Sequence, residues 1–253
     1  MHRFANPTRF LRIANALLPW LAGATLLLIG AGLYTGLFVS PADYQQGETV
    51  RIMFVHVPSA WMGLGIYTGI AIASAVALIW KHPLADIAAR ASSPVGAAFT
   101  FVCLVTGSLW GKPMWGTWWV WDARLTSMLL LLFLYLGHMA LANAFDDEER
   151  GAKAAAVLAL VGVVNVPVIK FSVDWWNTLH QPASVVKMDG PAIHPSMLTP
   201  LLLMAFGYMA FYLTLLVLRM RTEIAERKIR IMRLNQAADA GYAQGAAEQG
   251  QGI

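Results

Sequence analysis

Cysteine is nearly missing from this sequence. The one thiol, Cys103, sits in an apolar run, which excludes an intrachain disulfide, a two-thiol metal or redox motif, and the CxxCH pattern of covalent haem attachment. Charge is scarce as well: 13% of residues are charged and 58% hydrophobic, against roughly 25% and 45–50% in an ordinary soluble domain. A soluble enzyme needs charge to coat its surface, and a disordered chain lacks long apolar runs, so both classes fall away. No nucleophile and base pair, catalytic triad or metal-hydrolase spacing stands out in the connecting segments, and a carrier is expected rather than an enzyme.

What is present is apolar length. A bilayer core of roughly 30 Å takes about 20 apolar residues per helix, and six stretches meet or approach that, near 17–39, 58–80, 92–110, 125–145, 153–171 and 197–219. The expected fold is all-α, a polytopic membrane bundle of about six transmembrane helices with both termini on one side. Arg3, Arg9 and Arg12 precede the first stretch as in a signal peptide, but its apolar run is too long and no convincing A-x-A site follows, so it is read as a span.

Of the 18 Lys and Arg residues, all but Arg51, Lys112, Arg124, Lys170 and Lys187 lie on the side of the termini, so that side is expected to be cytoplasmic. The net charge of +4 is thus spread between spans and into a tail rather than over one soluble face, and no nucleic-acid partner is expected. Residues 1–235 read as one membrane domain, in which the basic amphipathic stretch 220–235 suits contact with membrane lipid. The Ala-, Gly- and Gln-rich residues 236–253 read as a disordered cytoplasmic tail.

Tryptophan is distributed unevenly. Trp110, Trp115, Trp118, Trp119, Trp121, Trp175 and Trp176 all map to the outer ends of spans or to outer loops, with Trp61 just inside the second span. An aromatic belt at the headgroups explains Trp20, Trp80 and Trp61, but explains less well the four tryptophans of WGTWWVWD at 115–122. Read as a helix, that segment sets Trp115, Trp118, Trp119 and Asp122 on one face. Rigid aromatic surface at a wet boundary suits a large planar ligand, with indole N–H groups free to find polar partners. Composition alone leaves open a haem, a quinone, a lipid or a partner helix.

Histidine narrows the choice. His56 (FVHVPSAW) immediately precedes the second span, and His180 (WWNTLHQP) lies in the outer loop before the sixth. Neutral imidazole is a common iron ligand, and two imidazoles on opposite porphyrin faces give a six-coordinate haem. One histidine at a membrane boundary needs no ligand; a pair on the Trp-rich side favours the ligand reading. His194 (AIHPSM) is a rival in the same loop, and His138, nearer the cytoplasmic side of the fourth span, is expected to be buried against a neighbouring helix. Porphyrin propionates need cations, and the bidentate fork of arginine brings forward Arg51 and Arg124. Pairing of Arg124 with Asp122, or snorkelling of Arg124 at the span end, stands beside that reading on equal terms.

The segment WGTWWVWDARLT at 115–126 resembles the Trp-rich WWD motif of the haem-handling proteins of cytochrome c maturation. With about six spans, short outer loops and an outer histidine before both the second and last spans, nearly the whole chain is similar to the haem exporter protein C (CcmC) family. The resemblance implies a protein of the bacterial inner membrane that binds haem b at the periplasmic face and delivers it to the haem chaperone CcmE. It implies CcmD and the ATP-binding transporter subunits CcmA and CcmB as further partners. Carried over by position, His56 and His180 match the axial ligands, while Trp115, Trp118, Trp119, Trp121 and Asp122 match the motif. Arg51 and Arg124 match flanking cationic positions. The alternative is a membrane channel subunit of an ABC-type haem exporter, against which stands the shortage of intramembrane ionisable groups beyond His138. A stable redox cytochrome is disfavoured because no second histidine pair is available to relay electrons.

Overall fold

The computed structural model describes residues 6–181, 184–185 and 190–250. Its elements are helical, and six stretches, of 21 to 43 residues, are long and apolar enough to cross a membrane. Helix α1 (Pro7–Tyr34) starts where the Asn6 side chain accepts hydrogen bonds from Thr8 and Arg9 N–H, and it ends in a π-helical turn over Thr35–Val39. A 3₁₀ turn over Glu48–Ile52 feeds α2 (Met53–Trp80), so that the second span begins earlier than its apolar run and His56 lies inside it, in the first turn. Helix α3 (Pro83–Trp115) follows after Lys81 and His82. The fifth span is two helices, α5 (Glu148–Gly162) and α6 (Asn165–Trp175). The break between them falls just before Pro167, which has no N–H to give to a continuing helix.

Helix α2 is the packing centre. Tyr67 of α2 and Tyr135 of α4 (Ala123–Asn143) are fully buried with their rings edge-on at 5.0 Å, and the Tyr135 hydroxyl donates to the Gly63 carbonyl at 2.6 Å. Ile66, Ile70, Leu131 and Ala159 close around them. Leu26, Leu27, Ile72 and Phe133 are exposed, as lipid-facing residues of a membrane bundle should be.

The Trp-rich segment departs from expectation. Helix α3 stops at Trp115 because Gly116 takes a left-handed conformation (φ 75°) that a residue with a Cβ resists, and its N–H bonds the Lys112 carbonyl at 3.0 Å. Residues 117–122 are irregular until Asp122 caps α4, its Oδ1 accepting from Leu125 N–H at 2.7 Å. Trp115, Trp118, Trp119 and Asp122 therefore do not share one helical face.

At the other end, α7 (Pro195–Gly250) continues unbroken out of the last span through 220–235. Met220 and Ile224 pack on Leu84, Ile87 and Ala91 of α3. Arg227 pairs with Asp86 at 2.7 Å, and Arg230 pairs with Glu148. The composition boundary at 235/236 falls inside this helix.

Candidate functional site

The starts of α2 and α4 and the ends of α3 and α6 meet at one end of the bundle and enclose a cavity of about 370 Å³, within the range of about 300–1,000 Å³ usual for ligand sites. His56 and Trp61 come from α2, Trp110 and Trp115 from α3, Trp119 from the irregular segment, Arg124 and Met128 from α4, and His180 from the loop after α6.

His56 is held at two points. Its Nδ1 is 3.0 Å from the Cys103 carbonyl and 3.1 Å from Thr106 Oγ1. A carbonyl only accepts, so Nδ1 carries the proton and donates, which leaves the Nε2 lone pair unused. The ring stands edge-on to Trp110 at 5.7 Å. It also lies against Gly107, where a Cβ would come within 2.8 Å of His56 Cε1; a glycine is what makes room for the imidazole.

His180 packs against Trp115, ring centroids 4.9 Å apart. Its Nδ1 is 3.7 Å from Asp122 Oδ2, an ion-pair distance too long for a hydrogen bond, and the carboxylate is almost wholly buried. One oxygen of Asp122 thus caps α4 while the other faces the His180 ring. Burial, and next the Arg124 cation, lower the His180 pKa from 6.5 to about 4 against the opposing pull of Asp122, so the ring is neutral at physiological pH.

Three buried polar atoms in this region have no hydrogen-bond partner: Trp119 Nε1, Asp122 Oδ2 and His180 Nδ1. Trp119 lines the cavity, so its N–H is a donor without an acceptor at the edge of an aromatic chamber. Neutral imidazoles, indole walls, an arginine and a space kept open by Gly107 form a donor set that fits a haem.

The remaining candidates are distributed differently. Arg124 lines the cavity while its guanidinium donates to Ser172 Oγ at 3.2 Å and to the Ile169 and Lys170 carbonyls at 3.4 and 3.3 Å, closing the end of α6. Arg51 is not in the cavity wall; it pairs with Glu48 and donates to the Gly36 and Leu37 carbonyls at the end of the first span. Trp118 and Trp121 are 54% and 75% exposed and lie outside the wall, with Lys112 Nζ 5.8 Å above the Trp118 ring. His194 serves the start of α7, where its Nδ1 is 2.8 Å from Ser196 Oγ and its carbonyl accepts from Met197 and Leu198 N–H. Sequence reasoning counts Trp110 among the outer tryptophans without making it a site residue and does not mention Met114 or Gln46, although Trp110 Nε1 donates to Gln46 Oε1 at 3.0 Å and all three line the cavity. The signal was available: Cys103, Gly107, Trp110 and Met114 recur on one face of α3.

Fold and cavity together define a six-span membrane protein with an aromatic, histidine-bearing cavity at one end of its bundle. The chain belongs to the haem exporter protein C (CcmC) family, whose model, described as "CcmC: Heme exporter protein C", matches residues 1–235. It is 56% identical over 238 residues to the Heme exporter protein C of Bradyrhizobium diazoefficiens, covering 94% of this chain and 90% of that protein. Identity is 52% over 224 residues with the Haemophilus influenzae protein of the same name (88% and 91% covered). With that of Escherichia coli K12 it is 49% over 224 residues (88% and 90%).

Proposed function

We propose that this chain serves haem export in c-type cytochrome biogenesis by holding haem b reversibly in the end cavity, with His56 and His180 as axial ligands of the iron, and presenting it to the haem chaperone CcmE. The carrying observation is that two histidines 124 positions apart in sequence line one tryptophan-walled cavity. The proton on His56 Nδ1 leaves Nε2 to meet a metal, and the neutral His180 beside Asp122 supplies a second basic nitrogen. Trp110, Trp115 and Trp119 offer apolar surface to the porphyrin, and Arg124 with Trp119 Nε1 offers donors to its propionates. Arg51 stands outside the cavity wall, bonded to the Gly36 and Leu37 carbonyls. Trp118 and Trp121 are exposed beside the pocket and suit docking of the chaperone. The asymmetry of Lys and Arg supports a periplasmic position for the cavity and cytoplasmic termini, with CcmD, CcmA and CcmB as the other partners.

The test is an absorption spectrum of the detergent-purified chain, expressed with and without CcmE, for wild type and for His56→Ala, His180→Ala and His194→Ala. A six-coordinate haem signal is expected in wild type, weakened by either of the first two changes and unaltered by the third. Equal loss in all three would overturn the ligand assignment, and absence of haem from every preparation would overturn the function.

A further inference from the structure

Far from the haem cavity, toward the end of the bundle that carries the termini, α2, α3, α4 and α5 enclose a second, much smaller chamber of about 10 Å³. That is about the room one water molecule needs, which is roughly 10–15 Å³ by this measure. Most of its wall is alanine methyl groups from α2 to α5. Ser74, Arg90 and His138 also line it, and Ser74 Oγ, Arg90 Nε and His138 Nδ1 are all buried without a hydrogen-bond partner.

None of the three is served by the protein around it. A serine inside a helix ordinarily donates to the carbonyl four residues back, as Ser59 and Ser92 do at 2.7 Å, yet Ser74 makes no such bond. Arg90 uses its other nitrogens on the Ala142 carbonyl at 2.7 Å and Asn143 Oδ1 at 3.4 Å, while its Nε is 3.9 Å from Glu223 Oε1, too long to donate. His138 is 3% exposed and Ser74 1%, so bulk water reaches neither. Three polar atoms orphaned around one chamber form a costly arrangement unless something satisfies them together.

We infer that a single ordered water occupies this chamber and bridges Ser74 Oγ, Arg90 Nε and His138 Nδ1, tying α2, α3 and α4 together. Its valence fits: the water oxygen accepts from the Arg90 Nε–H, and its remaining donors and acceptor serve the serine hydroxyl and the imidazole in either tautomer. A cation is disfavoured beside the Arg90 guanidinium, and the carboxylate of the wall, Asp86, is already paired with Arg227 at 2.7 Å. No larger ligand fits. His138 is then a residue that a water satisfies within a closed helix junction, and a cofactor-sized passage does not run past it.

The test uses the full chain in lipid nanodiscs. A structure at a resolution that shows ordered water is expected to hold one peak within about 2.7–3.2 Å of all three atoms. An empty chamber with these side chains unmoved, or direct bonds from the three atoms to protein groups, would overturn the inference. Thermal unfolding gives an independent readout. Ala156→Val, which pushes a methyl group into the chamber, is expected to lower Tm by about 2–4 °C in wild type by expelling the water. The same change is expected to lower Tm by less in a Ser74→Ala/His138→Leu background, where two of the water's three partners are gone and the side-chain volume is nearly kept. A rise in wild type would mean a dry void had been filled, and an equal fall in both backgrounds would mean simple crowding; either result refutes the water.

Discussion

Gly107 is where a one-carbon change separates a haem site from a packing accident. A Cβ there would lie 2.8 Å from His56 Cε1 and 3.4 Å from Nδ1, whereas carbon atoms pack at about 3.5–4.0 Å. Gly107→Ala therefore pushes the imidazole aside by about 0.7 Å or more. The ring cannot yield freely, because Nδ1 is held by the Cys103 carbonyl and Thr106 Oγ1 at 3.0 and 3.1 Å. Overpacking of this kind costs about 1–3 kcal/mol. If about 1–2 kcal/mol of it falls on the bond from His56 to iron, haem affinity drops roughly 5–30-fold. The assay is spectrophotometric haem titration of the apo-protein in nanodiscs, with Tm followed in parallel. In a His56→Ala background the same substitution is expected to cost nothing further, since the ring it displaces has gone. Wild-type affinity in Gly107→Ala, or a full additional loss on top of His56→Ala, would refute the role given to this glycine and with it the aim of His56 into the cavity.

The two halves of the Trp-rich motif are expected to behave differently: Trp119→Phe, which removes a wall and an unpartnered donor, weakens haem binding about tenfold, whereas Trp121→Phe, at a residue 75% exposed, leaves the titration unchanged. The two arginines should separate in the same assay. Arg124→Ala weakens haem by about tenfold through the loss of a charge-assisted donor, while Arg51→Ala, which strips donors from the Gly36 and Leu37 carbonyls, lowers Tm and leaves affinity intact. The pH dependence follows from His180, whose folded pKa is lowered from 6.5 to about 4 by burial and Arg124. The neutral, ligating form therefore persists on acidification well below 6.5, and Soret absorbance is expected to hold to about pH 5 and fall as the pH approaches 4. A fall centred near 6.5 would show that His180 titrates as an ordinary surface histidine and would overturn that reading.

The spans were legible because hydrocarbon imposes a composition rule that few soluble segments satisfy, and the structure returns six. Tryptophan asymmetry likewise pointed to one end of the bundle, and the structure gathers Trp61, Trp110, Trp115 and Trp119 around a single cavity there. Local backbone was harder. The i, i+3, i+4, i+7 spacing of WGTWWVWD is a helical pattern, yet Gly116 ends α3 in a left-handed turn and Asp122 starts a new helix, so two strong terminators override the periodicity. His56 fell outside its span in the sequence reading because the imidazole itself and Pro58 interrupt the apolar run that starts at Ile52, although the chain is already helical from Met53. Arg51 carried no mark distinguishing a ligand-facing cation from one that ties off the first span; only the position of the Gly36 and Leu37 carbonyls decides that.

The two histidines are held unequally, and the inequality suits a site that must release what it binds. His56 is fixed inside α2 by a carbonyl, a hydroxyl and the close approach of Gly107. His180 stands outside any helix, its backbone N–H bonded to Thr178 Oγ1 at 3.0 Å, and its Nδ1 faces Asp122 without a hydrogen bond. A site built for stable electron transfer gains from two rigid ligands, because reorganisation on either side is then small. A delivery site gains from one rigid ligand that sets the iron's position and a second on a segment that moves at little cost. Asp122 joins the two demands: through Oδ1 it fixes the start of α4, and through Oδ2 it supports His180 only at ion-pair distance. Under the proposed ligation, His180 is therefore the ligand expected to let go first and His56 the one expected to stay.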